Sequence, residues 1–288
     1  MSNLQLYAVT ASGPCPLPIT EAASDFLDLY QGMKPGVYTV LRTYSHNKFL
    51  HLDDHLTRTK RSMQLLGWRY RLDEPGLRQA IHTICTAAPF DEMRVRIDVL
   101  AAPVAACGES TRVLVGLMAF TPLPAPLYNK GVSVGFAGAL ARDNPQVKAA
   151  DFAIRRRKQP AQPTYHELLM VNTHGEILEG ISSNFYGVRL GRLYTAGQGV
   201  LEGVTRRVIL DLATAAAIPT CLTPVRADEV GQLDEAAISS SSRGLLPVVR
   251  IGEQRIGTGD PGPICRRLMA AYDAYVASAI RTAVDTSP

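Results

Sequence analysis

No stretch of this chain approaches the ~18 consecutive apolar residues of a membrane-spanning helix, and a membrane role is not expected. Residues Met1 to Pro18 carry no basic segment followed by an apolar one, which reads against a signal peptide. The five cysteines (Cys15, Cys85, Cys107, Cys221 and Cys265) are scattered, odd in number and include no C-x-x-C pair. A zinc site and a disulfide framework are therefore not expected, no metal is assigned, and a reducing cytoplasm fits. Charge is sparse and nearly balanced: 19% of residues are charged, the net charge is +4, and the only dense run is Arg155-Arg156-Arg157-Lys158. A nucleic-acid reader would show more basic residues with aromatics between them. Internal repeats and low-complexity tracts are also missing. With 288 residues, 46% of them apolar, the chain can build one large domain or two modest ones around ordinary cores.

Periodicity gives a mixed α/β (α+β) chain. Gly36 to Tyr44 is rich in β-branched and aromatic residues and predicts a strand, with a second short one at Lys48 to Leu50. Asp53 or Asp54 can cap a helix running to about Leu66, with Leu52, Leu56, Thr59, Met63 and Leu66 on one face. Pro75 to Thr86 predicts another helix. Met93 to Leu100 alternates charged and apolar residues, and Arg112 to Phe120 is a further strand. The proline-rich stretch Thr121 to Pro126 is a stiff connector, giving a first domain over 1–120, a linker over 121–130 and a second domain over 131–288. Beyond it, strands are expected at Val132 to Phe136, Glu167 to Thr173, Glu176 to Glu179, Asn184 to Val188, Leu193 to Thr195 and Ala236 to Ser239. Helices are expected over Val204 to Ala217 and from Pro263 to about Ala283.

Several residues carry chemistry. Lys148 sits among Val147, Ala149 and Ala150; burial there would disfavour the ammonium and leave a nucleophilic amine. Glu179 ends a strand before Gly180-Ile181-Ser182-Ser183-Asn184 and can pair with a protonated ring nitrogen. Leu201-Glu202-Gly203-Val204-Thr205-Arg206 opens a helix whose free N–H groups at Val204 and Thr205, with the Thr205 hydroxyl, can hold a phosphate. The run Ser239 to Ser242 before Arg243-Gly244 can form an anion nest. Arg58 can fork onto a phosphate or form an i,i+4 ion pair with Asp54. Taken singly, Lys148 reads better as a surface lysine, Glu179 as a turn carboxylate and the serines as a flexible loop.

Together, in this order and spacing, they supply an amine, an acid and a phosphate grip, the three holds needed for pyridoxal 5'-phosphate. The set Gly36 to Arg42, His55-Leu56-Thr57-Arg58, Lys148, Glu179 to Phe185, Gly203 to Arg206 and Ser241-Ser242 resembles the class IV, or fold-type IV, pyridoxal-phosphate aminotransferases. That family includes branched-chain, D-amino-acid and (R)-amine aminotransferases and 4-amino-4-deoxychorismate lyase. The resemblance spans roughly Gly36 to Tyr275. It implies a small N-terminal α/β domain, a larger pseudo-barrel domain and a homodimer. It also implies that Lys148 links to the cofactor and shuttles the substrate proton, that Glu179 meets the pyridine nitrogen, and that Arg58, Val204, Thr205, Ser241 and Ser242 hold the phosphate. Many branched-chain enzymes carry a tyrosine five residues after the lysine; here that position is Ala153, beside Phe152. Ala102 to Thr111 does not match the family's carboxylate-recognition loops.

For the substrate, Tyr38 sits where the family places aromatic pocket residues. Arg94, Arg96 and Asp98 share one face of their strand, so Arg94 or Arg96 can grip a carboxylate if that face lines a pocket; otherwise it is a solvated strand face. The expected activity is transfer of an amino group from an amino acid, a branched-chain L-amino acid by preference, to 2-oxoglutarate in a ping-pong cycle. The lyase, D-amino-acid and (R)-amine activities are the alternatives within the family. A non-catalytic cofactor-binding scaffold is the alternative outside it, and retention of Lys148 together with Glu179 argues against that.

Overall fold

The computed structural model describes residues 4–30, 32–138, 140–160 and 162–282. The chain divides into two compact units, the first from residues 1–121, 147–157 and 278–288, the second from 122–146 and 158–277.

The first unit is built on a six-stranded antiparallel sheet in the order β2-β1-β6-β5-β3-β4. Its strands are β1 (Leu4–Thr10), β2 (Gly13–Leu17), β3 (Val37–Tyr44), β4 (Lys48–Phe49), β5 (Met93–Ala106) and β6 (Glu109–Ala119). One face packs on helices α1 (Leu52–Leu65) and α2 (Glu74–Ala87). There Leu41, Val95, Ile97, Val115 and Leu117 from the sheet meet Leu56, Leu77, Ile81 and Ile84 from the helices. This is the apolar half of the alternation in β3 and β5.

The opposite face, expected either to line a pocket or to be solvated, is not a solvated strand face: Arg96 and Asp98 are 2% and 1% exposed. A short helical turn, Phe26–Tyr30, lies against this side of the sheet. Phe26 and Leu29 pack with Leu6, Leu100 and Leu114, and Tyr38 packs with Ala150 and Ala153 of a helix described below.

Helix α1 starts at Leu52 with His51 as its N-cap in the left-handed region, rather than with Asp53 or Asp54 as expected. The reason is local. The Asp54 carboxylate turns back to His51 Nδ1 at 2.8 Å. In α2 the Asp73 side chain does cap the helix, accepting from Gly76 N at 3.1 Å.

Cys15 on β2 and Cys107 in the β5–β6 turn form a disulfide with a Cα–Cα distance of 6.3 Å, within the range such a bridge spans. This corrects the expectation of unpaired cysteines. The pairing joins residues 92 apart and has no spacing signature that a sequence reading can catch.

The second unit holds a ten-stranded mixed sheet. It comprises α3 (Ala125–Lys130), β7 (Val132–Phe136), β8 (Glu167–Val171), β9 (Glu176–Gly180), β10 (Asn184–Arg189), β11 (Arg192–Tyr194), α5 (Val204–Ala215), β12 (Thr220–Cys221), β13 (Val225–Arg226), β14 (Glu235–Ser240), β15 (Gly244–Ile251) and β16 (Gln254–Arg255). Helix α4 (Ala150–Arg157) lies in the first unit, and α6 (Pro263–Thr282) closes the chain. The expected end of α6 at Ala283 lies outside the described residues.

The path β10-β14-β15-β7-β8-β9 closes on itself, because Asn184 of β10 pairs with Glu179 of β9. All six strands of this ring feed one core cluster, including Val134, Leu169, Ile177, Phe185, Ile238 and Leu246. The result is a small, side-chain-filled barrel.

Candidate active site

Lys148 precedes α4 and is fixed by its own backbone. Tyr38 N–H donates to Lys148 O at 3.0 Å and Ala150 N–H to Gly36 O at 2.8 Å, so the segment runs beside the start of β3. Lys148 N–H reaches Ser62 Oγ at 3.3 Å. Its half-buried side chain places Nζ 4.8 Å from the centre of the Tyr38 ring. The Arg96 guanidinium lies 4.1 Å from the same ring centre. Arg96 is also held by Asp98 through two bonds of 2.8 Å, so its fork is already filled. Arg94 lies over the Phe26 ring at 5.4 Å.

Arg58, one turn past Asp54 in α1, donates to Thr39 Oγ1 at 3.0 Å, and Thr39 Oγ1 is 2.7 Å from His55 Nδ1. The alternative partner for Arg58 is Asp54, whose carboxylate is engaged by His51. Ala153 is fully buried against Tyr38, so no hydroxyl enters from that position. Of the basic run, Arg157 pairs with Asp28 at 2.6 Å and Arg155 lies 5.8 Å from the Phe152 ring. The Asp28 carboxyl is held far below the usual range by the Ser24 backbone N–H first and Arg157 second.

In the second unit, Glu179 stands where the barrel closes and is 2% exposed. Arg142 Nε donates to its Oε1 at 2.6 Å, and both side chains are buried. The second carboxylate oxygen is 3.4 Å from Asn184 Nδ2 and 3.3 Å from Leu201 N. Sequence reasoning passed over Arg142. Its signal was its place six residues before Lys148, which no local pattern makes visible.

Asn184 Nδ2 also donates to Leu201 O at 2.9 Å, tying the barrel seam to the entry of α5. Gly203 caps that helix, and a Cβ there would collide with Asn184 Oδ1. The first intrahelical bond runs from Arg207 N to Gly203 O at 3.1 Å. The N–H groups of Val204 and Thr205 therefore belong to the open first turn, beside the buried Thr205 hydroxyl. Arg206 Nη2 holds Ala196 O at 2.8 Å.

Ser241 and Ser242 lie half-buried in the β14–β15 turn, between the paired residues Ser240 and Gly244. Below them Tyr186 OH is 2.8 Å from Ser239 Oγ. Burial pushes the Tyr186 hydroxyl well up, and the Ser239 bond only partly offsets that.

Among the described residues no cluster of His, Cys, Asp and Glu is arranged to hold a metal, and no helix is long and apolar enough to cross a membrane. The donor set suits a different group. An amine is available for an aldehyde. A buried carboxylate, itself ion-paired, is available for a basic ring. Open N–H groups and hydroxyls at a helix start and a serine turn are available for a phosphate.

The family model described as amino-transferase class IV matches residues 36–251, and the chain belongs to that family. Class IV aminotransferases are pyridoxal-phosphate-dependent enzymes. The chain is 28% identical over 267 residues to a "probable branched-chain-amino-acid aminotransferase" of Thermotoga maritima, covering 89% of this chain and 92% of that one. It is 33% identical over 104 residues to a D-alanine aminotransferase of Staphylococcus haemolyticus, covering 35% and 37%. Its fold is that of the branched-chain amino acid aminotransferase from Thermobaculum terrenum in its holo form with pyridoxal phosphate: TM-score 0.75, 22% identity, 95% and 94% of the chains covered. The branched-chain aminotransferase from Thermoproteus uzoniensis, crystallised with norvaline, gives a TM-score of 0.71 at 22% identity, with 95% of each chain covered.

Proposed function

We propose that this protein takes the amino group of a branched-chain L-amino acid and passes it to 2-oxoglutarate, the first product leaving before the second substrate binds. The observation that carries the reading is Lys148, an amine fixed by backbone bonds on both sides and set over the Tyr38 ring. Bound pyridoxal phosphate supplies an electron sink for the charge left when the substrate's α-carbon loses a proton. Lys148 is the residue whose amine would hold the cofactor's aldehyde and would act as the base that takes the substrate's α-proton and delivers it to the cofactor's aldehyde-derived carbon. Glu179, kept in place by Arg142, would pair with the ring nitrogen and favour its protonated form.

The phosphate falls to Arg58, the Val204 and Thr205 N–H groups, the Thr205 hydroxyl, Ser241 and Ser242. Tyr38 forms one wall for the substrate. Arg94 and Arg96 are the candidate carboxylate grips, and at Arg96 a substrate carboxylate has to compete with Asp98. The name of the Thermotoga maritima relative supports the branched-chain choice. The D-alanine aminotransferase likeness supports a second reading, a D-amino-acid transaminase. A homodimer completes the reading.

The test is Lys148→Ala. Turnover and the visible band of the lysine-bound cofactor should both vanish while the circular dichroism spectrum stays unchanged. A yellow, active variant would remove Lys148 from the site.

A further inference from the structure

Arg243 is the last residue of the β14–β15 turn, directly after Ser241 and Ser242, and its side chain makes bonds in three directions. Nε donates to Ser240 Oγ at 3.0 Å, Nη2 to Ser182 Oγ at 2.8 Å, and Nη1 to Glu167 Oε2 at 2.6 Å. His166 Nε2 lies 3.4 Å from Nη1. The Arg243 carbonyl accepts from Tyr128 OH at 2.9 Å.

Glu167 is buried at the start of β8. Its other oxygen accepts from Ser182 N at 2.6 Å, Ser182 Oγ at 3.0 Å and Ser183 Oγ at 3.0 Å. Burial alone would raise its pKa. The Arg243 charge and the Ser182 bonds outweigh that and hold the carboxyl below its ordinary value. One ion pair thus joins two turns: the one after Glu179 and the one that carries Ser241 and Ser242.

The two turns do not depend on it equally. The 180–183 turn is also fixed by Gly180 N to Ser183 O at 2.8 Å and Ile181 N to Leu168 O at 2.9 Å. Glu179 has its own partner in Arg142. The serine turn is closed by a longer backbone bond, Arg243 N to Ser240 O at 3.2 Å, and ends on Gly244 at φ 64°. The β14–β15 pairing of Ser240 with Gly244 and the Tyr128 bond to the Arg243 carbonyl hold its ends, and the Arg243 side chain is its tie to the 180–183 turn.

We infer that Arg243, anchored by Glu167, is a positioning residue that sets the Ser241-Ser242 hydroxyls for the cofactor's phosphate without acting on its ring. The inference rests on the reading above, in which Ser241 and Ser242 meet that phosphate. It predicts a loss confined to one end of the cofactor.

The experiment titrates cofactor-free protein with pyridoxal 5'-phosphate and, separately, with pyridoxal, following the visible band. It compares the wild type with Arg243→Lys, which keeps the charge but not the fork, and Glu167→Gln, which keeps the shape but not the charge. Both variants should hold pyridoxal phosphate about tenfold or more weakly, the scale of a lost charge-assisted contact. Pyridoxal, which has no phosphate, should bind within about threefold of wild type. Equal losses for both ligands would make Arg243 a general structural residue and overturn the inference. So would unchanged affinity for both. A Ser241→Ala, Ser242→Ala protein tests the underlying reading: if it keeps full preference for the phosphorylated ligand, the serines do not meet the phosphate and the inference falls with that reading. If Glu167→Gln fails to fold, Arg243→Lys still decides the question.

Discussion

Replacing Arg142 by methionine should be among the most damaging single changes in the barrel unit that leave its apolar core untouched. The Arg142 and Glu179 side chains are 5% and 2% exposed and joined at 2.6 Å, so solvent does not screen the pair. With Arg142 gone, the Asn184 and Leu201 donors stand at 3.4 and 3.3 Å from the Glu179 carboxylate, both near the limit of a useful bond. An uncompensated buried charge costs about 3–5 kcal/mol. Removing both charges in Arg142→Met, Glu179→Gln leaves a neutral pair of similar volume, and most of that loss should return. The assay is urea unfolding of the cofactor-free proteins as a double-mutant cycle, read at equal slope so that midpoints convert to free energy. A single-variant cost under about 1 kcal/mol, the range of exposed pairs, would refute the reasoning, as would a double variant no more stable than Arg142→Met.

Glu179→Gln should lower turnover much more than cofactor affinity, measured by kcat against the dissociation constant from the visible band; equal losses would make Glu179 structural. His166 is held below its ordinary pKa by burial first and by the Arg243 charge second. The unfolded chain therefore takes up a proton near pH 6.5 that the folded site refuses. Stability from this group is present above that pH and is lost as pH falls below it, so His166→Asn should flatten the acid side of a Tm-against-pH curve. Reducing the Cys15–Cys107 bond should destabilise the first unit. Its 92-residue separation gives about 4.6 kcal/mol by loop entropy. Urea unfolding with and without dithiothreitol measures this, and a thiol titration finding all cysteines free in the unreduced, unfolded protein would deny the bond.

What the sequence made legible follows from which signals are local. The apolar half of β5 shows in its alternation, and the α2 cap shows because Asp73 precedes its helix by one residue. Strand β2 went unread because Pro14 and Pro16 break the strand pattern. An edge strand tolerates them, since prolines need no partner on the open side. The charged face of β5 looked solvated because nothing within Met93 to Leu100 announces its cover. Phe26 and Leu29 arrive from far upstream, and Ala150 and Ala153 from far downstream. Arg142 and Arg243 were invisible as site residues for the same reason, with partners 37 and 76 positions away. Lys148, Glu179 and the serine turn could be singled out only as a set, because each alone is an ordinary turn residue. The barrel closure that sets Glu179 opposite Asn184 is a pairing between strands, which no single segment encodes.

The central claim is a transaminase acting on a branched-chain L-amino acid. Its most direct test is the absorbance of the purified, cofactor-loaded protein before and after adding L-leucine, with no keto acid present and D-alanine in a parallel cuvette. The account predicts loss of the band of lysine-bound cofactor and growth of the pyridoxamine band with L-leucine, and little change with D-alanine. A band that ignores L-leucine but responds to D-alanine would contradict the substrate assignment.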